Sequence, residues 1–218
     1  MGAKVELTTC RNPRVVRNCG KHVDGVCEDP AEKRAMPTMR HPLILHPDSP
    51  RGAVSQVEAY ISRGNTGNLL VHYYVAGDPS LFIQGWPPHP SWKRADDLWK
   101  HTCFEAFVKP TGAEGYFEFN FAPSFAWAAY RFADYRRHRQ NADILKPRPE
   151  AAYGGDFYEL RAHLRLEGLP ELAGDWRVGI SAVIEEANGN ISHWALRHPP
   201  GKADFHHADG FALELPAI

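Results

Sequence analysis

The sequence predicts an all-β fold, an antiparallel β-sandwich of about ten strands behind a disordered N-terminal leader, and three observations carry that expectation. From Gly52 onward, apolar and polar residues alternate with period two in one segment after another, as in strands buried on one face and wet on the other. Turn signals rich in Gly, Asn and Pro separate these segments. No convincing amphipathic helix interrupts them, unless WAAYRFADYRRHR is one, since its Trp127, Tyr130 and Asp134 also fit helical spacing.

Residues 1–38 follow neither period and are punctuated by Pro13, Pro30 and Pro37, so they read as a disordered leader to a domain spanning 39–218. Met36 and Met39 stand just before the first patterned segment, and translation is expected to begin at one of them. In AVSQVEAYISR, Val57, Ala59 and Ile61 share one face while Gln56, Glu58 and Ser62 share the other. RGNTGN then turns the chain into NLLVHYYVAG, which directs Leu69, Val71, Tyr73 and Val75 to one side. SLFIQG is expected as the next strand, and the proline-rich WPPHPSWKRADD as a long loop. LWKHTCFEAFVK, GYFEFNF and FAWAAYRFADYR read as three further strands. FYELRAHLRLEGL has the cleanest alternation, with Tyr158, Leu160, Ala162, Leu164 and Leu166 inward. WRVGISAVIEE and ISHWALRH should pair through ANGN, because Asn188–Gly189 supplies the positive φ values of a tight hairpin. RHPPGKADFHHADG is a second long loop, and FALEL is the last strand.

Composition narrows the function classes. A net charge of -1 over 218 residues gives no electrostatic footprint for nucleic acid or an anionic membrane. No run approaches the roughly 18 apolar residues of a membrane span, and the first twenty residues hold no apolar signal core, so a cytoplasmic protein is expected. Cys10, Cys19 and Cys27 lie in the leader and Cys103 alone lies in the body, which leaves no disulfide framework; their spacing fits no zinc pattern. Neither a phosphate-cradling glycine loop nor a Ser/His/Asp order is present, and SRGNTGN lacks the Lys-Ser/Thr of a P-loop.

The candidate chemistry lies on two adjacent strands. In GYFEFNF, Phe117, Phe119 and Phe121 face one way, the core side, while Tyr116, Glu118 and Asn120 form a polar line on the other. In HTCFEAFVK, Phe104, Ala106 and Val108 share one face, and Glu105 stands between Cys103 and Phe107 on the opposite one. A carboxylate so placed must be solvated, paired with Arg131 or Arg136, or bonded to a ligand, because burying it alone costs several kcal/mol. Arg136, Arg137 and Arg139 read as a solvated face. In the C-terminal loop, His193, His198, Asp204, His206 and His207 gather imidazoles and a carboxylate into fifteen residues, the ligand types of a metal-dependent enzyme, although the spacing matches no metal motif. His206 and His207 would point to opposite faces of an extended chain.

The blocks DLWKHTCFEAFV, YFEFNFAPSFAWAAYRFADYR and SHWALRHPPGKADFHHADGFALEL, in that order, resemble the bacterial DOMON-like domain family, which is similar to the family-9 carbohydrate-binding modules. One branch of that family occurs alongside a cell-wall nucleotide-sugar reductase. The resemblance spans roughly residues 41–215 and includes Trp99, Glu105, Glu118, Asn120, Trp194, His198 and His206. It implies a β-sandwich and a non-catalytic domain that binds a sugar or haem. A sugar would need an aromatic face for its C–H side and polar groups for its hydroxyl edge. Trp86, Trp92, Trp99, Trp127 and Trp194 are the available aromatic faces, and Glu105, Asn120 and Arg131 the edge partners. The expected ligand contacts are therefore Trp99, Glu105, Glu118, Asn120, Arg131, Trp194, His198 and His206. Haem would need an axial histidine such as His72, His193, His198, His206 or His207, since Met1, Met36 and Met39 all precede the patterned body. An aromatic face of this kind also suits a protein partner.

Overall fold

The computed structural model describes residues 14–16, 40–64, 67–83 and 92–218. Its strands are β1 (Arg14–Val16), β2 (His41–Leu45), β3 (Gln56–Arg63), β4 (Leu69–Ala76), β5 (Cys103–Pro110), β6 (Tyr116–Phe121), β7 (Trp127–Phe132), β8 (Gln140–Asn141), β9 (Glu150–Tyr153), β10 (Phe157–Leu164), β11 (Trp176–Glu185), β12 (Ile191–Ala195) and β13 (Leu213–Leu215). The described residues contain no α-helix and therefore no helix long and apolar enough to cross a membrane. All ladders between these strands are antiparallel, in the order β1-β9-β10-β4-β3-β2-β12-β11-β5-β6-β7-β8, with β13 also on β11.

Strand β2 makes one continuous curled sheet out of two halves. Its residues His41–Leu43 pair with β3, and Ile44 and Leu45 then pair with β12. The halves face each other across the core, as in a sandwich whose corner is a strand that changes sheets. Val57, Ala59 and Ile61 of β3, with Leu69, Val71, Tyr73 and Val75 of β4, are buried there as the alternation requires. Tyr158, Leu160, Ala162 and Leu164 extend the same layer from β10. Opposite them stand Phe104, Ala106 and Val108 of β5 and Phe117, Phe119 and Phe121 of β6. The ring of Phe104 stacks on Tyr158 at 5.7 Å and meets Tyr73 at 5.0 Å, which ties the halves together.

Several local expectations resolve differently. The described part of SLFIQG, residues 80–83, is not a strand: Pro79–Leu81 form a single 3-10 turn, capped by the Asp78 side chain, which accepts from Ser80 N–H at 2.9 Å. WAAYRF is strand β7 and not a helix, since its backbone completes the ladder of β6. The β11–β12 hairpin forms as expected, with Gly189 at φ +85°. Strands β1, β2, β8 and β9 are additional to the expected set. Residues 14–16 of the leader run antiparallel to β9, and the disorder expected of the remainder falls outside the described residues.

One buried hydrogen bond joins this core to the polar face behind it. The Tyr73 hydroxyl crosses from β4 and donates to the backbone carbonyl of Glu105 at 2.7 Å. Replacing Tyr73 with Phe keeps the ring and removes that bond. Urea unfolding is expected to show a loss of about 0.5–1.5 kcal/mol, with an unchanged m-value.

Candidate functional site

The outer face of β5, β6 and β7 is covered, not wet. It carries Phe107, Tyr116, Tyr130 and Phe132, a second apolar cluster against which Phe205 and Phe211 of the C-terminal loop pack. Gly179 of β11 lets that loop approach: a Cβ there would stand 3.0 Å from the Gly210 carbonyl oxygen. Arg177 fixes the same segment by donating to the Phe211 carbonyl at 3.0 Å.

Between this loop and the turn after β7 lies a cleft of about 430 Å³. Glu105 of β5, Glu118 of β6 and Val183 of β11 line it from the sheet. Phe132, Arg136 and Arg139 form one side, and Ala203, Phe205, His206 and His193 the other. Trp99, in the 3-10 turn Leu98–Lys100, stands at the cleft with 47% of its surface exposed. Arg139 lies 4.7 Å above the Tyr130 ring, and the Tyr130 hydroxyl donates to Asp96 at 2.6 Å.

The two sides are laced together by polar contacts. Arg136 pairs with Asp204 at 2.7 Å, and the Tyr135 hydroxyl also donates to the Asp204 carboxylate. Burial opposes ionisation of Asp204, but these hydrogen bonds outweigh it and hold its pKa below the usual carboxylate value. Arg136 has φ +54°, a left-handed backbone, and its N–H donates to the Tyr116 hydroxyl at 3.1 Å. Tyr116 in turn meets His206 Nδ1 at 2.8 Å. The other ring nitrogen of His206, Nε2, faces Glu118 at 3.8 Å. Burial, and then the charge of Arg136, lower the His206 pKa to about 4, so the ring is neutral near pH 7.

The carboxyls are the unusual feature. Glu105 is 3% exposed, and its Oε2 accepts from the Ser181 hydroxyl at 3.1 Å. Glu118 is 4% exposed, and its Oε1 accepts from Asn120 Nδ2 at 2.6 Å. Neither has a lysine or arginine within ion-pair distance among the described residues, so the expected pairing of Glu105 with Arg131 or Arg136 does not form. Burial, and then the charge of Glu118, raise the Glu105 pKa to about 8; burial raises that of Glu118 too.

The structure thus brings together Trp99, Glu105, Glu118 and His206 at the cleft, with Asn120 beneath Glu118. It separates the other three expected contacts. Arg131 stands opposite Phe117 in the β6–β7 ladder, on the core side of the sheet at its rim, and pairs with Glu171 at 3.0 Å. Trp194 stands opposite Ala182 and is buried in the core, its indole N–H donating to Ser192 at 2.9 Å. His198 donates through Nε2 to the Ile44 carbonyl at 2.8 Å and sits edge-on to His46. Arg136, Arg137 and Arg139 are exposed, as expected of a solvated face, and Arg136 and Arg139 also line the cleft. Of the other tryptophans, Trp127 is core, Trp92 packs against the core, and Trp86 lies outside the described residues.

The histidine-rich loop does not converge on a metal. His207 turns away to cap the 3-10 turn Ala208–Gly210, while His206 enters the cleft, the opposite directions expected of neighbours. Among the described residues no three of His, Cys, Asp or Glu are gathered as metal ligands. Of the histidines considered for haem, His193 and His206 line the cleft, whereas His72 lies on β4, where it faces Glu159 at 3.4 Å.

Comparison with solved structures bears on this arrangement. A Bacteroides uniformis protein, provisionally designated carbohydrate-binding, superposes with a TM-score of 0.60 at 16% identity, over 83% of this chain and 86% of that one. The fold is one found in carbohydrate-binding modules. A family-9 module from Caldicellulosiruptor kristjanssonii in complex with cellotriose matches with a TM-score of 0.50 and 13% identity, over 91% of this chain and 89% of that one. Its complex with glucose gives 0.45 at 14% identity, over 91% and 92%. No protein-family model and no curated protein sequence matches the chain.

Sequence reasoning missed Phe132, Val183 and Phe205 as cleft walls. Strand parity was the available signal for Val183, which stands opposite Cys103 and His193 and so shares their face. The Glu105 environment also sets a pH dependence. Its folded pKa lies above the unfolded value, so its favourable contribution is complete below about pH 4.5 and is lost as pH rises through about 8. Glu105→Gln is expected to be more stable than the parent at pH 9 by about 2–4 kcal/mol, and to flatten the fall between pH 5 and 9 in urea titrations.

Proposed function

We propose that the protein is a non-catalytic carbohydrate-binding domain and that the cleft beside Trp99 holds the sugar. The observation that carries this reading is a half-exposed indole next to buried, hydrogen-bonding floor groups, in a fold shared with carbohydrate-binding proteins. A pyranose presents an apolar C–H face and a rim of hydroxyls. Trp99 offers the first a partner, and Glu105, Glu118, Arg136 and His206 offer acceptors and donors to the second. The DOMON-like resemblance supports the same placement, because its blocks contain Trp99, Glu105, Glu118 and His206.

Two carboxyls in a sugar cleft also invite comparison with glycoside hydrolases, whose acid and base flank the scissile bond. Here Glu105 stands opposite Asn120, and Glu118 is two residues along the same strand from Asn120. Both carboxyls therefore project from one face of the sheet, which suits a binding floor and not a flanking pair.

Thermal unfolding against a panel of glucose, cello-oligosaccharides and other cell-wall sugars tests the reading. A ligand at a hundred times its Kd adds about 2.7 kcal/mol, which raises the midpoint of a domain this size by about 5–10 °C. Trp99→Ala is expected to weaken the responding sugar about tenfold by calorimetry. Arg131→Ala, on the other face, is expected to leave affinity unchanged. A panel with no shift at saturating sugar overturns the proposal.

A further inference from the structure

The cleft floor offers acceptors without matching donors. Glu105 Oε2 receives the Ser181 hydroxyl and Glu118 Oε1 receives the Asn120 amide, while the second oxygen of each carboxyl has no hydrogen bond among the described residues. The Asn120 side-chain carbonyl lacks a partner too, although Asn120 is completely buried. Asn120 stands opposite Glu105 across the β5–β6 ladder, and its amide reaches Glu118 along the same strand face. The two free carboxyl oxygens thus belong to residues that floor the cleft, and the Asn120 carbonyl lies buried beneath them.

The nearby cations do not complete this set. Arg136 is taken by Asp204 at the rim, and Arg139 lies over the Tyr130 ring. His206 holds Tyr116 with one nitrogen, and its other stands 3.8 Å from Glu118, beyond hydrogen-bond length. A native interior seldom leaves a buried acceptor such as the Asn120 carbonyl empty, and two neighbouring carboxyls with no cation in ion-pair contact oppose each other's ionisation. The missing partner is therefore a compact group with several N–H donors and a positive charge.

We infer that the cleft selects an amino sugar, with a free primary ammonium seated on Glu105 and Glu118 and the pyranose ring against Trp99. The inference rests on the sugar-binding reading and adds the class of sugar. An ammonium has donors for both carboxyls at once and makes charge-assisted bonds that a neutral hydroxyl does not. N-acetylation removes both the charge and two of the donors. The floor consequently distinguishes a free hexosamine from its N-acetyl form and from the parent hexose.

Calorimetry of the full chain at pH 7 with glucosamine, N-acetylglucosamine, glucose and 2-aminoethanol separates the possibilities. Glucosamine is expected to bind at least about tenfold more tightly than either other sugar. Glu118→Gln and, independently, Glu105→Gln are expected to bring that ratio close to one while near-ultraviolet circular dichroism stays native. Should one variant fail to fold, the other carries the comparison. Glucose or N-acetylglucosamine binding as tightly as glucosamine overturns the ammonium site and leaves the sugar reading standing. Binding of 2-aminoethanol without any sugar keeps the ammonium site and removes the sugar from it. A glucosamine preference that persists in a folded Glu118→Gln protein overturns the assignment, and no binding by any probe overturns both readings.

Discussion

The structure depends on a pair of strands that are buried on both faces. Through β5 and β6 the sandwich core receives Phe104, Ala106, Val108, Phe117, Phe119 and Phe121. The alternate residues of the same strands cannot join that core, because the side-chain period of a strand is two. They include Phe107 and Tyr116, which need cover from water, and Glu105, Glu118 and Asn120, which need polar company. The C-terminal loop meets the first need with Phe205 and Phe211. The Arg136–Asp204 and Tyr116–His206 contacts hold that cover in place, and the space it leaves over the carboxyls is the cleft. The site is the second solution to a packing problem whose first solution is the core.

This arrangement explains why the carboxyls are tolerated. Each has at least one buried hydrogen-bond donor, Ser181 for Glu105 and Asn120 for Glu118, supplied by neighbours on the same sheet face. Those donors reduce the cost of burial without abolishing it, and the raised pKa values are the residue of that cost. A pair of methionines would satisfy the packing at lower cost, so the carboxyls are a local departure from stability of the kind concentrated at binding sites.

Much of this was legible from residue order alone. Long strands with one buried face, such as β3, β4 and β10, announced themselves by clean alternation. Strand β2 did not, because it is short and contains Pro42. The proline is tolerated since residues 41–43 have a strand neighbour on one side only. Glu105, Glu118 and Asn120 could be placed on a common face by counting in twos. Arg131 and Trp194 were misplaced as ligand groups for want of register: Arg131 is level with Phe117 and Trp194 with Ala182, both on the core side. The walls given by Phe205 and His206 depend on how an irregular loop folds back over the sheet. No periodicity encodes that path.

Strand β2 carries a further consequence for assembly. It is a five-residue seam in which three residues close the edge of β3 and two close the edge of β12. Its partners are supplied by segments near opposite ends of the domain sequence, so this seam can close only after distant parts of the chain have come together, a contact of high loop-closure cost. Until then both neighbours present unpaired backbone groups. A chain caught at that stage would have two adhesive borders at once, and self-association through them, more than loss of the core, would be its characteristic failure.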